Sequence, residues 1–268
     1  MSQKLLQAER AAIVGLVTTA SHRFTVEQSL SELIKLVDTA GATVVLSILQ
    51  ERASPDPNTF IGSGKVAALA EAVVDGDIDV VIVDTELTPA QIRQLEARLE
   101  RKVLDRTQVI LDIFASRARS REGKCQVELA QLQYLLPRLT GSGAQMSRLG
   151  GGIGTRGPGE TKLETDRRRI RDRIRTIQHE INHVRKRRIQ IRERRRKNLI
   201  PTVALVGYTN AGKTTLFNYL TEASALASDA LFVTLDPLVR KVQLPRGQSF
   251  LLSDTVGFID RLPHTLVA

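Results

Sequence analysis

A chain of 268 residues has room for two domains, and its 42% apolar content is ordinary for a globular protein. Trp is absent and aromatics make up 4%, so any core must be aliphatic, and no apolar run approaches the roughly 18 residues of a membrane span. The net charge of +10 sits in one place: residues 160–197 hold 16 Lys or Arg against 6 Asp or Glu, and the rest of the chain holds 23 of each.

The N-terminus lacks a small-residue cleavage site and is not expected to be a signal peptide. Residues 7–109 then alternate short β-branched runs, "AAIVGLV", "ATVVLSIL" and "VVIVD", with amphipathic stretches at 29–39, 65–74 and 89–100. Such runs fit buried parallel strands, and the alternation predicts a small open α/β sheet. Thr88 is placed to cap the third helix, with Pro89 at its first position. In "FIGSGKVAAL" (60–69), Gly62, Gly64 and Lys65 precede a helix without the spacing of a full phosphate loop. Two readings stand there, a tight strand-to-helix turn and an anion contact at the helix N-terminus.

Residues 122–139 are predicted helical, with Cys125, Leu129, Leu132, Leu136 and Leu139 spaced 4-3-4-3 along one seam. The lone Cys125 can form no internal disulfide and no cysteine-based zinc site, and it reads as a small residue on this helix. Residues 140–161 are glycine-rich without periodicity and are expected to be a loop. From 162 to 199 a second helix is predicted, because Leu163, Ile170, Ile177, Val184 and Ile191 recur every seven residues, with Ile174 and Ile181 filling the second seam position. The economical arrangement is an antiparallel hairpin with the glycine loop at its tip, although the same seam could pair between chains. The later turns of the second helix outrun the first and need another surface.

A basic helix is ordinarily a solvated face. Here "RRRIRDRIR" and "RKRRIQIRERRRK" set like charges side by side, which costs stability until a polyanion neutralises them. Nucleic-acid contact is the stronger reading, and with no aromatic residues for stacking, it points to phosphates and folded RNA shape.

The stretch "GYTNAGKT" (207–214) matches Gly-x-x-x-x-Gly-Lys-[Ser/Thr] in full, between a strand-like "PTVALVG" and a helix-like "TTLFNYL". Gly207, Tyr208, Thr209, Asn210, Ala211, Gly212, Lys213, Thr214 and Thr215 would then wrap a nucleotide's phosphates with backbone N–H groups. Lys213 would reach the β- and γ-phosphates and Thr214 would hold Mg²⁺. Downstream, "FLLSDTVGF" (250–258) ends an apolar strand in Asp-x-x-Gly, placing Asp254 to hold Mg²⁺ through water and the Gly257 amide to sense the γ-phosphate. "LFVTLDPLVR" offers Phe232 at the nucleotide and Thr234 in a loop that closes over the metal. Lys213 and Gly257 are the candidate catalytic groups, and Thr214, Thr234 and Asp254 the candidate metal ligands. A loop ordered by γ-phosphate and Mg²⁺ is the usual output of such a site.

With these residues in view, the chain resembles the HflX-type GTPases, translation-associated proteins that bind the ribosome. The resemblance runs through nearly the whole chain. It is carried by "GTRGPGETKLETDRRRIRDRI" (154–174), "GYTNAGKTTLFN" (207–218), "FVTLDP" (232–237), "DTVGFIDRLPH" (254–264) and, more weakly, "FIGSGKV". It implies an α/β chain in three parts: an N-terminal parallel α/β domain over 1–118, an antiparallel helical hairpin over 119–199 with its glycine-rich tip at 140–161, and the first part of a P-loop GTPase domain from 200 to 268. It further implies GTP and GDP as ligands with Mg²⁺, the large ribosomal subunit and its RNA as partners, and the separation of stalled or idle ribosomes as the outcome. Arg148, Arg156, Arg167, Arg168, Arg169 and Arg171 are the implied RNA contacts. A monomer without a membrane span is expected, in the cytoplasm, with room for a membrane-associated fraction.

Two features depart from a typical GTPase. Phe258 follows Gly257 where many GTPases carry a water-orienting glutamine, and the family's pattern is also apolar there. Slow intrinsic turnover accelerated by the ribosome is therefore expected, with His264 read either as a loop residue or as a substitute base. The guanine-reading Asn-Lys-x-Asp motif does not occur, so the domain opened by the phosphate loop is expected to be incomplete, with one sheet edge and face uncovered. ATP hydrolysis, or RNA and ribosome binding without turnover, remain as alternative activities.

Overall fold

The computed structural model describes residues 8–139, 158–197, 200–223, 230–245, 247–263 and 266. The chain divides into two compact units, Met1–Ile113 and Phe114–Ala268.

In the first unit, β1 (Arg10–Val17), β2 (Thr43–Glu51), β3 (Val80–Val83) and β4 (Lys102–Asp105) form a wholly parallel sheet in the order β2-β1-β3-β4. Helices α1 (Arg23–Ala40), α2 (Ser63–Asp75) and α3 (Pro89–Leu99) alternate with the strands, and α4 (Arg106–Arg117) follows directly. The central strands β1 and β3 are buried almost throughout, which is why they read as continuous aliphatic runs. One core cluster joins Ala12, Val14, Val81 and Val83 of the sheet to Val66, Leu69 and Val73 of α2 and to Leu95 and Leu99 of α3. Each such buried aliphatic side chain contributes about 1.5–3 kcal/mol relative to exposure. The α3 start is as predicted: Thr88 accepts from the Gln91 N–H, and Gln91 returns the bond, closing a capping box with Pro89 in the first turn.

The turn before α2 is closed by its neighbours. The Gly62 N–H donates to Gln50 Oε1 at 3.0 Å, and a Cβ at Gly62 would meet Arg52 Nη1 at 2.5 Å. The tight-turn reading of "FIGSGKV" is the one this geometry supports.

Beyond the expected elements, the unit contains β4 and α4, which place Arg106 at 2% side-chain exposure. Its guanidinium is held by Asp84 at 2.9 Å, by Glu32 and by Ser29. A buried arginine tolerates desolvation only when paired in this way.

In the second unit, α5 (Arg121–Arg138) and α6 (Pro158–Lys197) form an antiparallel hairpin. The direction is fixed by cross-pairs that run opposite ways along the two helices: Arg188 to Glu122, Arg121 to Glu180, and Arg173 to both oxygens of Glu128 at 2.6 and 2.8 Å. Helix α6 begins at Pro158, four residues before the predicted start, with proline in the first-turn position that suits it. Ile177 of the expected seam is fully buried, as are Val127 and Ala130, whereas the expected Cys125, Leu129, Leu132 and Leu136 are half-buried, since a two-helix seam stays open along its sides. Burial, with Glu180 beside it, pushes the Cys125 thiol up in pKa, which fits an inert side chain. Near the end of α6, Ile189 and Ile191 are exposed, so the turns that outrun α5 find no cover among the described residues.

The remaining sheet has the order β5-β7-β6, from β5 (Thr202–Leu205), β6 (Leu238–Gln243) and β7 (Ser249–Asp254), with α7 (Lys213–Thr221) after β5. Strands β5 and β7 are parallel, as expected. The intervening β6 is antiparallel to β7, because a connection over residues 244–248 is short enough for a hairpin and too short for a crossover. Val203 and Val206, on the side of edge strand β5, and Leu216 and Tyr219 of α7 are exposed.

Candidate functional site

The site forms where β5 and β7 end together. Their parallel register sets Leu205 opposite Asp254, and Thr255 Oγ1 donates to the Leu205 carbonyl at 2.6 Å, pinning the two strand ends. Residues 206–212 cross from β5 to α7. Asn210 at φ 56° and Gly212 at φ 77° both take the left-handed conformation, and Gly212 caps α7. The first-turn N–H groups of α7 have no partner within the helix, and this end carries the positive pole of its dipole. Residues 209–215 line a cleft together with Phe232, Thr234 and Gly257.

Lys213 lies back over the loop, its Nζ donating to the Tyr208 carbonyl at 2.6 Å. Burial lowers the Lys213 pKa from its ordinary value, and nearby Asp254 acts to raise it. The Tyr208 side chain points into solvent, 71% exposed, so Tyr208 contributes its backbone.

Asp254, Thr214 and Thr234 come from three separate segments and meet at one point. Thr214 Oγ1 is 2.8 Å from both Thr234 Oγ1 and Asp254 Oδ2, and Thr234 Oγ1 is 3.0 Å from Asp254 Oδ2. Asp254 is fully buried and its Oδ1 also accepts the Thr255 N–H. The three oxygens form a small hydrogen-bonded triangle, a cluster that could hold Mg²⁺ directly or through water. Hard oxygen donors are the set that this cation takes, so the residues present fit it.

Gly257 closes the cleft from the side of β7. A Cβ there would fall 2.6 Å from Thr209 Cα and 2.8 Å from Thr209 N, so only glycine allows the approach. Beside it the Thr209 N–H donates to the Phe258 carbonyl at 2.8 Å, and the Phe258 N–H donates to the Gly207 carbonyl at 3.0 Å. The phosphate loop and the Asp-x-x-Gly segment are thereby joined by a two-bond bridge. A Cβ at Gly207 would meet only ordinary contacts of 3.8 Å or more, so that glycine is not sterically demanded.

The structure brings together Thr209 to Thr215, Phe232, Thr234, Asp254 and Gly257. Phe258 is 52% exposed and carries no polar atom that could orient a water. His264, Arg148 and Arg156 lie outside the described residues. On α6, Arg168, Arg169 and Arg171 are exposed, while Arg167 is half-buried with its Nε shielded. The acids of that helix are more useful than their number suggests: Asp166 lies 3.7 Å from Arg169 and Asp172 3.2 Å from Arg175. Sequence reasoning did not single out Asp236, whose carboxylate joins the segment carrying Thr234 to the start of α5.

A glycine loop between a parallel strand and a helix, facing an Asp-x-x-Gly strand end, defines a P-loop nucleotide-binding protein. Comparison with known proteins narrows this. Three family models match in succession: GTP-binding GTPase N-terminal over residues 27–115, GTP-binding GTPase Middle Region over 117–195, and 50S ribosome-binding GTPase over 202–267. The chain is 53% identical over 267 residues to the GTPase HflX of Caldanaerobacter subterraneus, covering 100% of this chain and 61% of that protein. It is 52% identical over 241 residues to the GTPase HflX of Escherichia coli, covering 90% and 57%. Among solved structures, a GTP-binding protein from Sulfolobus solfataricus in complex with GDP matches at 25% identity with a TM-score of 0.50, covering 97% of this chain and 64% of that one. The chain belongs to the HflX GTPase family, and it spans about 60% of the length of the curated relatives it matches.

Proposed function

We propose that this chain binds and hydrolyses GTP and, in the GTP-bound state, engages the large ribosomal subunit, separating stalled or idle ribosomes. The observation that carries the reading is the convergence of Thr214, Thr234 and Asp254 beside the phosphate loop. Three oxygens from three segments have a common purpose if a cation and a phosphate chain bind there. Mg²⁺, when bound, would neutralise charge on the β- and γ-phosphates. The chain's own contributions are distinct. The first turn of α7 would hold the phosphates, Lys213 would swing from the Tyr208 carbonyl to them, and the Gly257 N–H would report the γ-phosphate. Thr234 would close over the site from its loop.

The division of labour we infer has the N-terminal α/β domain through residue 118, the hairpin over 119–199 as the part directed at ribosomal RNA, and the nucleotide site from 200 onward. Exposed Arg168, Arg169 and Arg171 support the RNA role, with Arg148, Arg156 and Arg167 as further contacts. Guanine as the base is supported by the relative solved with GDP. No helix among the described residues is long and apolar enough to cross a membrane. A monomer is proposed, since the hairpin closes within one chain.

Phe258 has no polar side-chain atom to position water, and the reading assigns the ordering of the site to the partner. GTP hydrolysis by the purified chain is expected to rise at least tenfold on adding large ribosomal subunits. Equal rates with and without subunits would count against ribosome-stimulated turnover. Subunit binding that ignores the nucleotide would favour an RNA-binding module without turnover.

A further inference from the structure

The segment that carries Thr234 is fastened on both sides. On one side Leu231 and Phe232 are buried, and the Phe232 ring meets Phe114 edge-on at 4.7 Å. Phe232 pays for this with φ 55°, a strained backbone for a bulky residue. On the other side Asp236 reaches the N-terminus of α5. Its Oδ2 accepts the Arg119 N–H at 3.1 Å and the Ser120 N–H at 2.8 Å, and its Oδ1 bonds the Ser120 hydroxyl. Ser120 in turn caps α5, accepting the Gly123 N–H at 2.9 Å. A Cβ at position 123 would fall 2.7 Å from Asp236 Oδ1, so the carboxylate enters because Gly123 leaves it room.

Only Leu235 separates Thr234 from Asp236, a span of at most about 7 Å, and Pro237 fixes the next φ. Thr234 cannot shift far without moving Asp236. From Asp236 the contacts continue: Arg121 and Glu122 in the first turn of α5 pair with Glu180 and Arg188 of the basic helix α6. A carboxylate at a helix N-terminus is favoured by the dipole.

We propose that Asp236 is a positioning residue that ties the metal- and phosphate-sensing loop to the hairpin, so that the state of the Thr214–Thr234–Asp254 cluster is passed to the start of α5 and on to α6. This rests on reading the cleft as a Mg²⁺–nucleotide site. Coupling of this kind is reciprocal: the factor by which nucleotide changes the hairpin's affinity for a polyanion is the factor by which that polyanion changes nucleotide affinity.

The test is amide hydrogen exchange at Arg119, Ser120 and Gly123 in the whole chain, without nucleotide, with Mg²⁺-GDP, and with Mg²⁺ and a non-hydrolysable GTP analogue. Nucleotide binding is followed by fluorescence in the same samples. Protection at these amides is expected to differ at least fivefold between GDP and the analogue. In Asp236→Ala the difference should fall below twofold, with nucleotide affinity within threefold of the parent. Gly123→Ala, which keeps Asp236 and adds helix propensity, should lose the difference equally, and it decides the matter if Asp236→Ala does not fold. Binding without any change in protection would show a static brace, and a fivefold difference surviving both substitutions would show coupling by another route; either result would overturn the inference alone. Absence of nucleotide binding by the parent chain would remove the functional reading, and this inference with it.

Discussion

Two turns in this molecule look alike in composition, and they are built in opposite ways. Both place glycines and a lysine at the start of a helix: Gly62, Gly64 and Lys65 before and within α2, and Gly207, Gly212 and Lys213 at α7. At α2 the turn is consumed by its own fold. Gln50 takes the Gly62 N–H, Arg52 fills the space above it, and Gly62 keeps an extended backbone that any residue could adopt. At α7 the loop winds through two left-handed residues, and three oxygen-bearing side chains converge beside it. The two turns thus differ less in glycine content than in whether neighbouring side chains close over the turn and whether oxygen-bearing groups gather beside it.

The comparison can be broken most forcefully at Gly257. Gly257→Ala sets a methyl group against Thr209 backbone atoms that cannot step aside. Nucleotide affinity, read by fluorescence titration, is expected to fall at least tenfold, with the second unit losing about 1–3 kcal/mol of stability. Affinity at the parental level would mean that the phosphate loop and the Asp-x-x-Gly segment separate freely. The smaller effect lies at the other turn. Gly64 has nothing within 4 Å of a Cβ and sits inside α2, so Gly64→Ala should raise stability by about 0.5–1 kcal/mol, measured by chemical denaturation, and leave nucleotide binding untouched. Impaired binding there would give the first turn a ligand role after all.

The glycine loop and the meeting of Thr214, Thr234 and Asp254 beside it were legible in the sequence because each residue type answers a local requirement. A left-handed Gly212, a lysine behind it and a hydroxyl after that can be read in one pass along the chain. The central strands were legible because burial on both faces leaves only aliphatic residues. What was missed depends on distant partners. Arg106, although charged, is buried because Asp84 and Glu32 arrive from other elements. The β4 strand "KVLD" is short and half polar, so no periodicity announces it. The start of α6 was set late because glycine-rich sequence around Pro158 argued for loop, although proline suits a first turn. Asp236 reads as an ordinary turn residue before proline, and its partner Ser120 lies 116 positions away.

The central claim is that the loop over residues 207–214 holds the phosphates of a guanine nucleotide with Mg²⁺. The most direct measurement is equilibrium binding of a fluorescent GTP analogue to the 268-residue chain, with and without Mg²⁺, competed by GTP, GDP and ATP and repeated with Lys213→Ala. Mg²⁺-dependent binding, displaced by GTP and GDP and weakened at least a hundredfold by Lys213→Ala, is the predicted result. No binding, or binding that Lys213→Ala leaves unchanged, would contradict it.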